Sequence, residues 1–384
     1  MGQCDLIVVN SCAVTNDAVA ATRRAIRRAR RERPGIELIV TGCAAQIDPA
    51  SFAAMPEVTR VIGNSDKLNP AAWRSTAPVI VRDIARVLDT APQMAEAFEG
   101  QTRAFVEVQN GCDHACTFCA IPAGRGPSRS ATIDGVVEQV AGLIAAGHSE
   151  VVLTGVDLSS YGHDLPDTPV LGDLVAAIVA RTSLRRLRLS SLDPAAIDDK
   201  LLELLTNEPR VMPHVHLSFQ AGDDMVLKRM RRRHSRADAV HLVERLKSAR
   251  PEIAIGADLI AGFPTEDDAM AANTLALIDD CAIVHAHVFP YSPRARTPAA
   301  RMPQVFPPVA RLRAQALRAA AARRHHDWLR QQVGTITDIL VERPGTRGHS
   351  PGFAEVRLPP CPPGTIVTVR LTQLEGDQLI GMPL

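Results

Sequence analysis

Six short apolar runs lie between Arg103 and Phe289, alternating with amphipathic stretches. That alternation is the pattern of β–α units, whose crossover helices force the strands they join to run parallel in one sheet. The spacing predicts strands at Ala104–Val108, Glu150–Thr154, Arg185–Ser190, His214–Phe219, Ile253–Leu259 and Val284–Phe289. Helices over Ile133–Ala146, Asp223–Arg232, Ala237–Ala249 and Glu266–Asp279 lie between them. Six such units make a (β/α)6 barrel or an open partial barrel, in which chemistry sits beyond the strands' carboxyl ends.

Two smaller regions flank it, so the fold class is α/β with a small all-β tail. Upstream, Asp5–Asn10, a helical pattern from about Asp17 to Arg33, and Ile36–Thr41 make a β–α–β unit, with a third strand at Thr59–Gly63. This reads as a partial Rossmann-like domain, short of strands and incomplete at its N-terminus. The Pro- and Ala-rich stretch from Pro70 to Gly100 reads as a connection. Downstream, one helix over Pro308–Gln332 precedes short strands at Thr335–Val341, Ala354–Leu358 and Thr365–Leu371, broken by Pro and Gly, as in a small β-barrel. The expected boundaries are 1–75, a linker at 76–97, 98–328 and 329–384.

Just past the first barrel strand, Cys112, Cys116 and Cys119 follow one another as Cys-x3-Cys-x2-Cys. Three thiolates so close can converge on one metal centre. A 4Fe–4S cluster held by three of them keeps one iron open to another ligand. A zinc knuckle completed by His114 or a distant residue is the alternative, although zinc sites usually bring their ligands in separated pairs. Cys12 and Cys43 each lie just beyond a predicted parallel strand, on the edge where open α/β sheets bind ligands. They could equally be small residues capping that sheet. Polar or Gly-containing segments close the other barrel strands: Leu153–Asp157, Ser190–Pro194, Ser218–Gln220, Asp258–Pro264 and His287–Ser292.

Composition narrows the class. The chain has 384 residues, 46% of them hydrophobic, enough to bury sizeable cores. Its eight cysteines are too sparse for a disulfide scaffold and three are tightly grouped, which predicts a reduced, cytoplasmic compartment. No signal peptide or membrane span is evident. A net charge of +1 gives no global field towards nucleic acid, so any such surface must be local. Arginine clusters mark the candidates: Arg23 to Arg33 in the first helix, Arg229 to Arg236, and the helix after Arg311. Each reads as a solvated face or as a phosphate-contacting one.

Cys112-x3-Cys116-x2-Cys119, with Phe118 before the last cysteine, resembles the signature of radical S-adenosylmethionine (SAM) enzymes. Asn10-Ser-Cys-Ala-Val-Thr15 and Thr41-Gly-Cys-Ala-Ala-Gln46 are similar to the amino-terminal domain of the methylthiotransferases within that group. So are the barrel segments Arg186–Pro194, His214–Gln220 and Lys228–Arg231. The last fifty or so residues resemble the TRAM module, an RNA-binding β-barrel. Gly155–Gly162 and His287–Met302 look most like members acting on N6-threonylcarbamoyladenosine in tRNA, where a methylthio group is added at C2 of the modified adenosine beside the anticodon.

The resemblance implies roles for particular residues. Cys112, Cys116 and Cys119 would hold the radical-generating 4Fe–4S cluster, whose open iron would take the amino and carboxylate groups of SAM. Phe118 would lie against the adenine, and Asp157, Ser191, Asp193 and Gln220 would line the SAM pocket. Cys12 and Cys43 match two of three ligands of an auxiliary 4Fe–4S cluster carrying the sulfur to be inserted. One SAM would methylate that sulfur and a second would supply the radical. The implied partners are the tRNA anticodon stem-loop and an electron donor such as flavodoxin or ferredoxin.

The resemblance also departs in places. The family's first auxiliary ligand lies in a Gly-Cys loop upstream of the position of Cys12, and this chain carries no such loop. Cys4 starts its strand rather than following it, so it is not expected to substitute, and the sequence reads as truncated there. Asp193 stands where the family more often has Glu. Cys281 and Cys361 read as structural, and His216, His234 and His287 as packing or hydrogen-bonding groups. The alternatives are the same chemistry on isopentenyl-type adenosine or on a ribosomal-protein aspartate, or a non-catalytic iron–sulfur RNA-binding protein.

Overall fold

In the computed structural model, residues 6–87 and 102–384 are described, and the chain divides into two compact units. Cys4 and part of the expected linker lie outside the described residues.

The first unit holds the N-terminal sheet together with residues 110–129 and 292–302. Its strands are β1 (Leu6–Ser11), β2 (Glu37–Gly42), β3 (Arg60–Ile62) and β4 (Val79–Ile80), all parallel and in that order. β4 falls inside the segment expected to be linker. Two residues between Pro78 and Val81 leave no alternation to read. The helix Asn16–Glu32 starts where Thr15 accepts a hydrogen bond from the Ala18 amide and buries Ile26 against β1 and β2. Two of its arginines are structural: Arg30 donates to the carbonyls of Pro34, Ile36 and Glu57, and Arg23 donates to Ser51.

The second unit carries the predicted six parallel strands: β5 (Arg103–Asn110), β7 (Glu150–Gly155), β8 (Arg186–Leu189), β9 (His214–Gln220), β10 (Ala254–Ala261) and β11 (Ile283–Pro290). A two-residue strand, β6 (Arg129–Ser130), extends the β5 edge. Parallel bridges Leu187–Val211 and Leu192–Leu217 link the β5–β8 and β9–β11 sheets.

Alternation sorts the strand side chains onto two faces. Val215, Leu217 and Phe219 of β9 and Ile255, Ala257 and Leu259 of β10 join the large core beneath the helices. His214, His216, Ser218 and Gln220 of β9, and Gly256 and Asp258 of β10, therefore take the inner face. The inner residues of β8 are Arg186 and Arg188. The lumen is thus polar along much of its length, unlike barrels filled with branched aliphatic residues.

Its floor is closed by the C-terminal barrel, five strands in the closed order β12-β13-β14-β16-β15. These are β12 (Ile336–Glu342), β13 (Arg347–His349), β14 (Glu355–Arg357), β15 (Ile366–Glu375) and β16 (Gln378–Pro383). β13 and β16 escape sequence reading because Gly and Pro interrupt them. The turn after β13 enters the lumen floor. Arg188 donates to the carbonyls of Ser350 and Pro351, each at 2.8 Å, and His285 Nε2 lies 3.1 Å from the Gly352 carbonyl. Phe353 sits between the guanidiniums of Arg103 and Arg188, 5.1 and 5.0 Å from its ring centre. Beneath them, buried Glu150 accepts from Arg188 Nε at 2.9 Å and faces Arg103 at 3.4 Å and Arg186 at 3.7 Å. Burial among these cations pulls Arg186 down to about 10, with Glu150 opposing the shift.

His285 and His349 flank this joint, and burial pulls both imidazoles down to about 4. Unfolded, they would protonate below about pH 6.5; folded, they stay neutral to about pH 4. Their stabilisation is therefore complete above pH 6.5 and is lost as the pH falls from there towards 4. A His285→Gln/His349→Gln chain should show a shallower fall in Tm across that window, checked by differential scanning fluorimetry. An unchanged slope would place the acid sensitivity elsewhere.

Candidate functional site

In the first unit, β1 and β2 run in register with Ser11 opposite Gly42, so Cys12 and Cys43 leave adjacent strands at the same level. Cys12 is exposed, whereas Cys43 is buried at the start of the helix Cys43–Ile47. Gly42 makes this turn possible. Its φ is +93°, and a Cβ there would lie 2.6 Å from the Ser11 amide nitrogen. The Ser11 hydroxyl fixes the turn by donating to the Thr41 carbonyl at 2.6 Å and accepting from the Ala45 amide at 3.0 Å.

The three-cysteine loop follows β5, and all three cysteines are partly buried. Asp113 pins the loop by accepting from the Ser128 amide at 3.1 Å, and Gly111 and Cys112 turn against Gly126 and Pro127. The loop runs into the helix Ile121–Arg125, which packs on the helix that begins at Cys43. There Arg125 Nε donates to Cys43 Sγ at 3.2 Å, and Asn64 Nδ2 lies 3.7 Å from the same sulfur while donating to the Gly124 carbonyl at 2.9 Å. Gly124 keeps this contact close, since a Cβ on it would stand 3.0 Å from the Cys43 Cβ.

These sulfurs have surroundings suited to ligating thiolates. The His114 amide points at Cys112 Sγ, the Ile121 amide at Cys119 Sγ and the Val14 amide at Cys12 Sγ, each at 3.4 Å. Such donors stabilise negative charge on sulfur and, in iron–sulfur sites, help set the potential. Cysteine-only donors with N–H⋯S contacts fit an iron–sulfur cluster at the loop.

In the second unit, the residues expected to line a SAM pocket all lie at strand carboxyl ends. Beyond β7, the Asp157 amide donates to Gln109 Oε1 at 2.8 Å, and its carboxylate accepts from the Ser160 hydroxyl at 2.6 Å. Gln220 closes β9 with φ +68°, a left-handed conformation that non-glycine residues seldom adopt and that clusters at ligand sites. Ser191 is partly buried beyond β8. Asp193 is buried, with Arg232 and Arg233 each at 3.3 Å. Burial opposes its ionisation, but His234, Arg232 and Arg233 hold the carboxyl well below its ordinary range. Four of the six basic residues between Lys228 and Arg236 are therefore engaged internally: besides Arg232 and Arg233, Arg229 donates to the Thr265 carbonyl, and Arg236 to the carbonyls of Gly222 and Asn273.

Mid-lumen, Asp258 Oδ1 lies 3.1 Å from His216 Nε2 and 3.3 Å from His287 Nδ1, and the two imidazoles face each other at 4.7 Å. Burial opposes ionisation of Asp258, but hydrogen bonds from both histidines hold it at about 2. The hydrogen bond to Asp258 raises His287. The expectation of hydrogen-bonding histidines holds for His216 and His287, but the sequence did not reveal that they share one carboxylate. Nor did it point to Asn64 and Arg125 beside Cys43. Cys281 is a core residue whose thiol burial pushes up to about 12. Among the described residues, no helix is long and apolar enough to cross a membrane.

Residues 106–278 match the Radical SAM superfamily, and residues 1–63 match Uncharacterized protein family UPF0004. A threonylcarbamoyladenosine tRNA methylthiotransferase from Rickettsia prowazekii is 45% identical over 92% of this chain and 84% of its own. A tRNA-2-methylthio-N(6)-dimethylallyladenosine synthase from Anaeromyxobacter dehalogenans is 34% identical over 99% of this chain and 86% of its own. A radical SAM methyltransferase from Kitasatospora setae, solved with cobalamin and a 4Fe–4S cluster, shares the fold at a TM-score of 0.55 and 14% identity, over 77% of this chain and 63% of its own. With the loop cysteines in ligating surroundings and relatives this similar along most of their length, the chain belongs to the radical SAM methylthiotransferase family.

Proposed function

We propose that this chain is a tRNA methylthiotransferase that places a methylthio group on C2 of N6-threonylcarbamoyladenosine beside the anticodon. The observation that carries the reading is the 45% identity to the Rickettsia enzyme across most of both chains. Two cysteine sets within one compact unit support it: the three-cysteine loop, and Cys43 on the helix packed against that loop's continuation.

A 4Fe–4S cluster and SAM are the cofactors; when bound, they would supply one-electron radical chemistry that no side chain of the protein provides. The chain's own residues hold and orient. Cys112, Cys116 and Cys119 ligate this cluster, and Phe118 packs on the adenine. Asp157, Ser191 and Gln220 bind the rest of SAM from the strand ends, and Asp193 contributes through a carboxylate already shared with two arginines. Cys12 and Cys43 belong to an auxiliary cluster, with Arg125 and Asn64 supporting the Cys43 sulfur. Residues 329–384 grip RNA as a TRAM-like module. A flavodoxin or ferredoxin in the cytoplasm is the electron source.

The test is nucleoside mass spectrometry on tRNA from cells with and without the gene. The 2-methylthio form of the threonylcarbamoyl nucleoside should disappear on deletion and return when this chain is restored. Loss of the 2-methylthio dimethylallyl nucleoside instead would transfer the reading to the chemistry of the Anaeromyxobacter relative.

A further inference from the structure

We infer that His287, held by Asp258 and His216 in the barrel lumen, binds the polar N6 substituent of the substrate adenosine and thereby selects threonylcarbamoyl over dimethylallyl. The inference rests on the proposed function and deepens it.

The three residues form one unit. Asp258 and His287 are directly paired across β10 and β11, and Gly256 is paired with His216 across β10 and β9. Gly256 is the residue the arrangement requires, since a Cβ there would sit 2.5 Å from His216 Nδ1. A side chain at 256 would displace the imidazole that faces His287. His216 is buried, with 8% of its side chain exposed, whereas the His287 side chain is 65% exposed. His216 and Asp258 thus act as positioning residues, and His287 is the group presented to solvent.

The chemistry of the two candidate substituents separates them. A dimethylallyl group offers no hydrogen-bonding atom, and lodging it against this triad would strip water from an imidazole and a carboxylate with nothing in return. A threonylcarbamoyl group carries a carboxylate, a hydroxyl and urea N–H groups. Asp258 occupies Nδ1 of His287, which leaves Nε2 for the substrate. When the ring is charged, Nε2 donates to the carboxylate; when it is neutral, Nε2 accepts from the hydroxyl or a urea N–H. Sites built to pair a polar substituent reject analogues that lack it far more strongly than apolar pockets reject an extra group.

The experiment is equilibrium binding of the full chain to anticodon stem-loops carrying threonylcarbamoyl-, dimethylallyl- or unmodified adenosine at the target position. It needs no turnover. The wild-type chain should favour the threonylcarbamoyl loop over the unmodified one by about tenfold or more. His287→Leu should erase that preference while leaving affinity for the unmodified loop within about twofold. His287→Gln, which keeps a polar end, should recover part of the preference, and a folding defect would instead weaken all three loops together. A wild-type preference that survives in His287→Leu overturns the inference alone. A wild-type chain that prefers the dimethylallyl loop overturns both the inference and the substrate assigned above.

Discussion

Replacing Cys116 with Ala should lower 5′-deoxyadenosine formation from SAM by at least about a thousandfold, because no protein side chain donates an electron at the low potential an iron–sulfur cluster reaches. The measurement is anaerobic reconstitution, dithionite and SAM, with chromatographic detection of 5′-deoxyadenosine. Iron content should fall by about four atoms per chain, the complement of one 4Fe–4S cluster. Cys43→Ala provides the contrast. Its sulfur lies among Arg125, Asn64 and Gly124 on a different strand end. SAM cleavage should persist in that variant while methylthio transfer is lost. If Cys116→Ala still forms 5′-deoxyadenosine at the wild-type rate, the radical reading fails. If Cys43→Ala abolishes SAM cleavage as well, the two cysteine sets do not serve separate clusters.

The second large effect is structural. Glu150→Ala should destabilise the second unit by roughly 3–5 kcal/mol, the usual cost of removing one partner from a buried ionic network. Glu150 is 1% exposed and is the carboxylate closest to Arg186 and Arg188, with Arg103 at 3.4 Å. Arg103 also pairs with Glu342 of the C-terminal barrel. Without Glu150, the buried guanidiniums repel one another under Phe353, and the joint to the C-terminal barrel loosens. Urea denaturation followed by tryptophan fluorescence would report it, since Trp328 packs in the core shared by the helix Pro307–Gln332 and that barrel. A loss below about 1 kcal/mol would mean that water already reaches the network.

The sequence was legible where burial is one-sided. The barrel strands follow from their outer faces, where apolar residues such as Val106 and Val108, Val215, Leu217 and Phe219, and Ile255, Ala257 and Leu259 alternate beneath the helices. The inner face carries the same period, as Arg186 and Arg188, His214 and His216, and His285 and His287. Polar alternation of that kind is indistinguishable in sequence from a strand facing solvent. That is why the lumen triad was hidden while the residues forming it were all noticed. The cysteines were legible because their spacing is local. Arg125 and Asn64 were not, since their contacts to Cys43 span 82 and 21 residues of chain.

The turn Ser350–Phe353 has a consequence for how this protein can be rebuilt. Its carbonyls and its one aromatic ring complete the coordination of guanidiniums and imidazoles that belong to the larger barrel. The C-terminal barrel is therefore no interchangeable cassette. A chimera that swaps in a homologous module would inherit a foreign turn at the base of the chamber, and its failure would report a mismatched seal before it reported anything about RNA. Grafting should begin downstream of Ala354, so that the four-residue turn stays with the barrel it closes.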